Sequence, residues 1–186
     1  PARVVIDPID GSLNARRTIP SHSLSVAVAS GASMADVDFG FVHDFGAGEE
    51  FAARRGQGAA LAGSPVRVSA ADGKLEGVGL ESAEPGRALP ALEALAGKAY
   101  RLRVVGSIAI TASYVGAGRF DAMLSLRSCR SVDAAAAQLI VREAGGAFSF
   151  GDGPLDAAPL DLSARYPVAA ARDSDALAAV RAAQAA

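Results

Sequence analysis

The chain has 186 residues, of which 51% are hydrophobic, and it carries a formal net charge of −2. This length suffices for one sizeable domain or two small lobes, and the apolar content excludes a disordered chain. The nearly balanced charge, without a basic run, excludes a nucleic-acid-binding surface and a basic segment that would lie on a membrane.

The sequence contains no stretch of about 18 apolar residues that could form a transmembrane helix. It opens on a strand-like run, without the charged and apolar leader of a signal peptide. Its single cysteine, Cys129, cannot form an internal disulfide, which agrees with a reducing compartment. We therefore expect a cytoplasmic protein without membrane or nucleic-acid partners.

The first part of the chain has the pattern of an antiparallel sheet. Residues 3–7 are β-branched and end at Pro8, which predicts a strand buried on both faces. A short helix is predicted over residues 12–17. Alternating apolar residues predict further strands at residues 24–29, 37–42, 51–55 and 66–68.

After a predicted linker at residues 70–74, the pattern alternates between strand and helix. Strands are predicted at residues 77–80, 101–105, 120–126, 147–150 and 168–171. Helices are predicted at residues 88–96, 107–115, 132–144 and 174–185. The sequence thus predicts an α+β or α/β fold with two lobes, residues 1–70 and residues 71–186.

The first acidic motif places two carboxylates, Asp7 and Asp10, at the end of the first strand and before the Gly11-Ser12 turn. By default, an Asp-Gly pair is only a turn. Pro8, however, fixes one φ angle of the loop, so both carboxylates and the Ile9 carbonyl can point the same way. Two such carboxylates repel each other unless a cation neutralises them.

The second acidic motif lies far along the chain, where Asp133 begins an alanine-rich helix. The default interpretation of such a residue is a helix cap. Hard cations such as Mg²⁺ prefer carboxylate and carbonyl oxygens, and a two-metal site for phosphoryl transfer needs several of them. Together, the two motifs favour a metal-dependent phosphatase.

These motifs, in this order, resemble the two signatures of the inositol monophosphatase superfamily. The first signature is matched by Asp7-Pro8-Ile9-Asp10-Gly11-Ser12-Leu13-Asn14, with similar residues at 19–20 and 23–27. The second is matched by the Asp133 helix, which ends in Glu143-Ala144-Gly145-Gly146. The intervening residues 51–59, 63 and 66–69 are also similar, so the resemblance covers nearly the whole chain.

The resemblance implies a sugar-phosphatase fold of layered α/β/α/β architecture, with Mg²⁺ as the cofactor. It implies that Asp7 bridges two Mg²⁺ ions, that the Ile9 carbonyl binds the first ion, and that Asp10 and Asp133 bind the second. Ser12 occupies the position of the family's usual Thr, whose hydroxyl holds the nucleophilic water. Asp7 and Ser12 are therefore the implied catalytic residues.

The implied substrate contacts lie at two predicted helix starts and at two arginines. These residues are Asp10, Gly11, Ser12, Arg103, Gly106, Ser107, Ile108 and Arg127. Backbone N–H groups at a helix start suit phosphate, and arginine suits bidentate contacts with phosphate or sugar oxygens. The alternatives are a simple cap for Ser107 and solvated surface side chains for Arg103 and Arg127.

The segment before Asp133 bears on the substrate. Inositol-selective members of the family have a Glu there, whereas residues 124–130 contain no acid. The segment is more similar to the archaeal-type branch, which accepts inositol phosphates and fructose 1,6-bisphosphate, although Ser125 replaces that branch's Asp. Phosphatases acting on 3′-phosphoadenosine phosphate or histidinol phosphate are alternatives within the superfamily.

Family members carry helices and a Gly-Glu-Glu motif before the first signature. Here Gly48-Glu49-Glu50 follows that signature, and we predict that it forms a hairpin turn. The resemblance therefore implies that the N-terminal part of the family fold is missing, which makes a non-catalytic regulator that binds metal or phosphate the alternative. His22 and His43 are too far apart for a histidine-based metal site. We expect a homodimer with a small phosphorylated substrate.

Overall fold

The protein forms four layers in the computed structural model, which describes residues 2–71 and 73–186. A six-stranded sheet is followed by two helices, a five-stranded sheet and two outer helices. This arrangement confirms the predicted layered α+β fold. Among the helices of the described residues, none has both the length and the apolar character needed to cross a membrane.

The six-stranded sheet is antiparallel throughout and follows the order of the chain. Its strands are β1 (Arg3–Asp10), β2 (Ser23–Ala29), β3 (Val37–Asp44), β4 (Glu49–Arg54), β5 (Gly58–Leu61) and β6 (Ser64–Val66). A short helix, α1 (Ser12–Arg16), follows β1, and a one-turn 3₁₀ helix spans Met34–Asp36.

The five-stranded sheet is mixed. Its strands, in spatial order, are β11 (Ala147–Phe150), β13 (Val168–Ala171), β9 (Ala122–Ser125), β7 (Leu75–Glu81) and β8 (Ala99–Arg103). Strand β7 is parallel to both of its neighbours, whereas β13 is antiparallel to both of its own. Two short strands, β10 (Cys129–Arg130) and β12 (Arg165–Tyr166), pair separately.

The two helical layers cover opposite faces of the five-stranded sheet. The inner layer consists of α3 (Ile108–Gly116) and α4 (Ser131–Glu143), and the outer layer of α2 (Pro85–Leu95) and α5 (Ser174–Gln184). Helix α4 lies close to the six-stranded sheet at Gly40, where a Cβ atom would be 2.5 Å from the Ala136 carbonyl oxygen. This contact explains why the inner helix is rich in small residues.

The predicted lobe boundary at residue 70 falls between the two sheets. Helices α3 and α4 follow this boundary in sequence, yet they pack against the six-stranded sheet in the larger apolar core. We propose residues 1–70 and 71–186 as two lobes that share this core. The predicted linker at residues 70–74 includes Asp72, which lies outside the described residues.

Two local predictions are wrong. Strand β1 is not buried on both faces, since Val4 and Ile6 are 62% and 51% exposed. The reason is that β1 is an edge strand of an antiparallel sheet, which can face solvent on one side. Gly48-Glu49-Glu50 is not wholly a turn, because the turn ends at Gly48 and the two glutamates begin β4. Strands β5, β10 and β12 were not predicted from the sequence.

Candidate active site

A β-bulge turns Asp7 and Asp10 to the same buried side of β1. In a regular strand, residues three positions apart point to opposite faces. Here the pairing with β2 shifts between Asp7, opposite Ser25, and Asp10, opposite Ser23, so β1 accommodates one extra residue. Pro8 lies within this bulge, where a missing N–H is tolerated. Both carboxylates are therefore buried, at 7% and 9% exposure.

Helix α4 brings the third carboxylate to this bulge. Asp133 is the third residue of the helix and accepts hydrogen bonds from the Arg130 backbone N–H (2.9 Å) and Nη2 (3.1 Å). Burial raises the pKa of Asp7, and a hydrogen bond with Asp133 and the charge of Asp133 raise this pKa further. The Ile9 N–H, 3.1 Å from Asp7 Oδ1, partly offsets the effect.

Asp10 contacts the start of α3. Its Oδ2 accepts hydrogen bonds from Ser107 Oγ (2.6 Å) and from the Ala109 backbone N–H (2.7 Å). Burial raises the pKa of Asp10 to about 7, against the effect of these two donors, and the charges of Asp7 and Asp133 also raise it. The first and second acidic motifs thus form one electrostatically coupled site.

Glu81, at the end of β7, is a fourth acid that the sequence reasoning missed. It is 1% exposed, and its Oε1 accepts hydrogen bonds from Thr111 Oγ1 (2.6 Å) and the Val105 N–H (3.2 Å). The Gly106 N–H lies 3.2 and 3.0 Å from its two oxygens. Burial raises the pKa of Glu81 to about 7. The available signal was an acid at the end of an apolar strand, as in the first motif.

Asn14 is a second residue near the site to which the sequence reasoning assigned no role, although it belongs to the first signature. It is buried on α1, and its Nδ2 donates to the Ser21 carbonyl (2.7 Å) and the Val105 carbonyl (2.8 Å). Asn14 thereby joins α1 to the turn before α3. A cavity of about 450 Å³ lies at this junction, and Asp10, Asn14 and Glu81 are among the residues that line it.

Apart from the two arginines, the other residues that the resemblance implies for substrate binding lie at the starts of helices α1 and α3. Gly11 precedes α1 with a φ of 84°, and Ser12 is the exposed first residue of that helix. Gly106 donates its N–H to Glu81, and Ser107 donates its hydroxyl to Asp10. Ile108, which follows, begins α3 and lines the cavity beside Asp10.

The two predicted substrate arginines lie apart from this cavity. Arg103 is exposed at the end of β8, where its Nη1 donates to the Leu102 carbonyl (2.9 Å). Arg127 is exposed and lines a second cavity, of about 500 Å³, together with Arg87, Ser128 and Arg165. The structure therefore groups Arg127 with two other cationic side chains.

The histidines and the cysteine have contacts typical of structural residues. His22 and His43 both contact the ring of Phe45, with ring centroids 5.5 and 5.1 Å away. Cys129 is buried, and burial raises the pKa of its thiol. That neither residue type forms the active site stays a prediction.

The acidic residues have the chemistry that Mg²⁺ prefers. Within residues 2–71 and 73–186, no three Asp, Glu, His or Cys side chains already converge on a metal position. Asp10 is turned towards α3 by its two hydrogen bonds. The donors are nevertheless oxygens, and the pKa values of Asp7 and Asp10 are raised first by burial and further by neighbouring negative charge, which a cation would neutralise.

Comparison with known proteins identifies relatives of two kinds. The chain is 37% identical, over 149 residues, to a fructose-1,6-bisphosphatase/inositol-1-monophosphatase of Methanothermobacter thermautotrophicus, covering 76% of this chain and 53% of that protein. It is 36% identical, over 152 residues, to the Nus factor SuhB of Escherichia coli, covering 78% and 55%. The chain thus spans about half the length of the curated relatives it matches.

Solved structures share the fold over nearly the whole chain. A crystal structure of an inositol monophosphatase–fructose 1,6-bisphosphatase has a TM-score of 0.85 and 26% identity, covering 98% of this chain and 70% of that chain. SuhB of Mycobacterium tuberculosis has a TM-score of 0.79 and 27% identity, covering 98% and 72%. The sequence profile of the inositol monophosphatase family matches residues 2–185. The chain therefore belongs to the inositol monophosphatase family.

Proposed function

We propose that this protein is a Mg²⁺-dependent phosphomonoesterase acting on inositol 1-phosphate, fructose 1,6-bisphosphate or both. The observation that supports this most strongly is the meeting of Asp7, Asp10 and Asp133, from distant segments, at one buried bulge beside α3. Membership of the family supports the same chemistry.

The carboxylates would hold Mg²⁺ together with one backbone oxygen. Asp7 and the Ile9 carbonyl are proposed to hold one ion, and Asp10 and Asp133 would hold the second together with Asp7. Asp10 would contribute Oδ1, since Oδ2 is bonded to α3. Bound Mg²⁺ would polarise the phosphate and lower the pKa of the attacking water. The hydroxyl of Ser12, exposed next to the bulge, would orient that water.

The substrate would contact residues around the start of α3 and the arginine cavity. Gly11, Ser12 and Ile108 are proposed to face the scissile phosphate, while the Gly106–Ser107 segment orients Asp10. Arg127, beside Arg87 and Arg165, is proposed to contact the second phosphate of a bisphosphate. Arginine suits this role because its planar guanidinium can donate two parallel hydrogen bonds. Arg103 remains a proposed contact from the resemblance alone.

Other functions of the same site are second candidates. 3′-Phosphoadenosine phosphate and histidinol phosphate are small phosphate esters that suit the same metal chemistry. A regulator that binds metal or phosphate without hydrolysing it is a further candidate, since some relatives of the chain are named Nus factor and not phosphatase. We also propose that the protein is cytoplasmic and forms a homodimer. Light scattering of the purified protein would test the dimer.

The direct test is phosphate release from the four esters, measured in Mg²⁺ and again in excess chelator. We expect Mg²⁺-dependent turnover of inositol 1-phosphate or fructose 1,6-bisphosphate, and its loss in Asp133→Asn. Asp152→Asn is the matched control, because Asp152 is a fully exposed acid paired with Arg181 on the surface. Binding of Mg²⁺ without turnover of any ester would favour the regulator, and equal turnover by Asp133→Asn and the parent protein would contradict the proposed site.

A further inference from the structure

Glu81 is a deeply buried acid to which the proposed chemistry assigns no role. It ends β7, which is parallel to its neighbours β8 and β9, and the carboxyl ends of parallel strands are where ligands bind in α/β sheets. Both of its oxygens accept hydrogen bonds, and they do so from one short segment and one helix, through Val105, Gly106 and Thr111. Its contacts are therefore concentrated on the connection between β8 and α3.

That connection is held from two sides. Glu81 accepts from the N–H groups of Val105 and Gly106, whereas Asn14 of α1 donates to the Val105 carbonyl at 2.8 Å. Gly106 has a φ of +87°, and a Cβ atom there would lie 2.5 Å from Asn14 Nδ2. The turn can therefore approach α1 only with glycine at this position. One side of the turn is bonded to α1 and the other to the end of β7.

The Gly106 turn also fixes the groups that contact Asp10. Ser107 follows Gly106 directly, accepts from the Ile110 N–H at 3.2 Å as the cap of α3, and donates to Asp10 at 2.6 Å. The Ala109 N–H donates to the same Asp10 oxygen at 2.7 Å. A displacement of the Gly106 turn would move both donors and hence the orientation of the Asp10 carboxylate.

We propose that Glu81 is a positioning residue of the active site, which holds the turn before α3 so that Ser107 and Ala109 orient Asp10 towards the cation. This inference rests on the proposed function. A carboxylate is required because it accepts at both oxygens. A glutamine would place its N–H donors opposite the backbone N–H group of either Val105 or Gly106.

The test is the affinity for Mg²⁺, measured by titration calorimetry on the full chain, beside the free energy of unfolding. In Glu81→Gln, we expect Mg²⁺ to bind about 10- to 100-fold more weakly, as is typical when a partner behind a metal ligand is lost. In Thr111→Val, which removes one donor to Glu81, we expect a smaller loss in the same direction. Thr111→Ser, which keeps the hydroxyl, should restore the parent affinity.

Ser69→Ala is the matched control. Ser69 donates a 2.6 Å hydrogen bond to the buried carboxylate of Asp121, which is the distance of the Thr111–Glu81 bond. Asp121 contacts the other end of β7, so this variant should lose stability and keep its affinity for Mg²⁺.

The outcomes separate this inference from the proposed function. If the parent protein binds no Mg²⁺, or if Asp133→Asn binds it equally well, the proposed function fails and the role of Glu81 fails with it. If the parent binds Mg²⁺ through Asp133 but Thr111→Val behaves like Ser69→Ala, only the positioning role is wrong. Should Glu81→Gln not fold, the comparison of Thr111→Val with Thr111→Ser decides the question.

Discussion

Buried carboxylates contact the two ends of strand β7 in contrasting surroundings. At the start, Asp121 accepts from Ser69 and from two backbone N–H groups, and Arg172 Nη1 lies 3.0 Å from its Oδ1. Burial alone would raise the pKa of Asp121, but these hydrogen bonds and the arginine hold that pKa below its usual value. At the other end, Glu81 is bonded to backbone N–H groups and a hydroxyl.

Glu81 and the nearby Asp10 are bonded to hydroxyls and backbone N–H groups, and their pKa values shift in the opposite direction from that of Asp121. The pKa values of Glu81 and Asp10 are both raised to about 7, chiefly by burial. A structural acid is stabilised by an internal partner, whereas a perturbed acid beside a cavity is typical of a functional site. The contrast between the two ends of β7 distinguishes an acid that maintains the fold from a group of acids suited to a cation.

The largest expected effect is on stability and comes from the start of β7, where Asp121 is bonded. Asp121→Asn should lower the free energy of unfolding by about 3–5 kcal/mol, because it weakens four hydrogen bonds to one buried carboxylate, which Ser69 Oγ, Arg172 Nη1 and two backbone N–H groups donate. Chemical denaturation monitored by circular dichroism would measure this loss. Any variant protein that is still folded should bind Mg²⁺ as the parent does, and a large loss of affinity would contradict the separation of the two ends.

The next largest effect is expected on the affinity for Mg²⁺. Asp7→Asn, Asp10→Asn and Asp133→Asn each remove a charged oxygen from the shared site, so each should weaken Mg²⁺ binding. The loss should exceed the roughly 10- to 100-fold that follows removal of a partner behind a ligand. Calorimetric titration of the folded variants would measure it, and unchanged affinity in all three would refute the metal site.

The pH dependence of stability should have opposite signs at the two ends. Without metal, the raised pKa values of Asp10 and Glu81 mean that the folded state holds their protons more tightly. Their contribution to stability is present below about pH 4 and is lost as the pH rises through about 7, at up to roughly 1.4 kcal/mol per pH unit for each group. The lowered pKa of Asp121 has the opposite effect, since its contribution is lost as the pH falls.

Unfolding experiments between pH 2 and pH 8 on the parent, Glu81→Gln and Asp121→Asn would separate these contributions, because the contribution of Asp121 is lost only below about pH 4. Glu81→Gln should flatten the decline towards pH 8, and Asp121→Asn should flatten the decline towards acid. Identical profiles for all three proteins would contradict the electrostatic contrast.

The smallest effect concerns the substrate. Arg127→Ala should lower kcat/KM for fructose 1,6-bisphosphate about tenfold more than for inositol 1-phosphate, as expected for the loss of one charge-assisted hydrogen bond. Steady-state kinetics with both esters would measure the difference. Arg16→Ala, which removes an exposed arginine of α1, is the control, and equal losses for both esters would show that Arg127 is a surface residue.

The sequence predicted the layers and the acids of the motifs, but not how the acids meet. Apolar periodicity located most strands and helices, yet it could not distinguish an edge strand from a central one, so the exposure of Ile6 was missed. The bulge that aligns Asp7 with Asp10 depends on the register of β2. Glu81 was overlooked because an acid at the end of an apolar strand is only a weak local signal, and its role depends on where α3 packs.

The most direct test of the cation site is the number of protons released when Mg²⁺ binds near pH 7. Titration calorimetry in two buffers of different ionisation enthalpy measures this number. Because Asp10 has a pKa of about 7 and must lose its proton to act as a ligand, we predict binding with net proton release that declines as the pH rises towards 8.5. Absence of binding, or binding without proton release, would contradict the account.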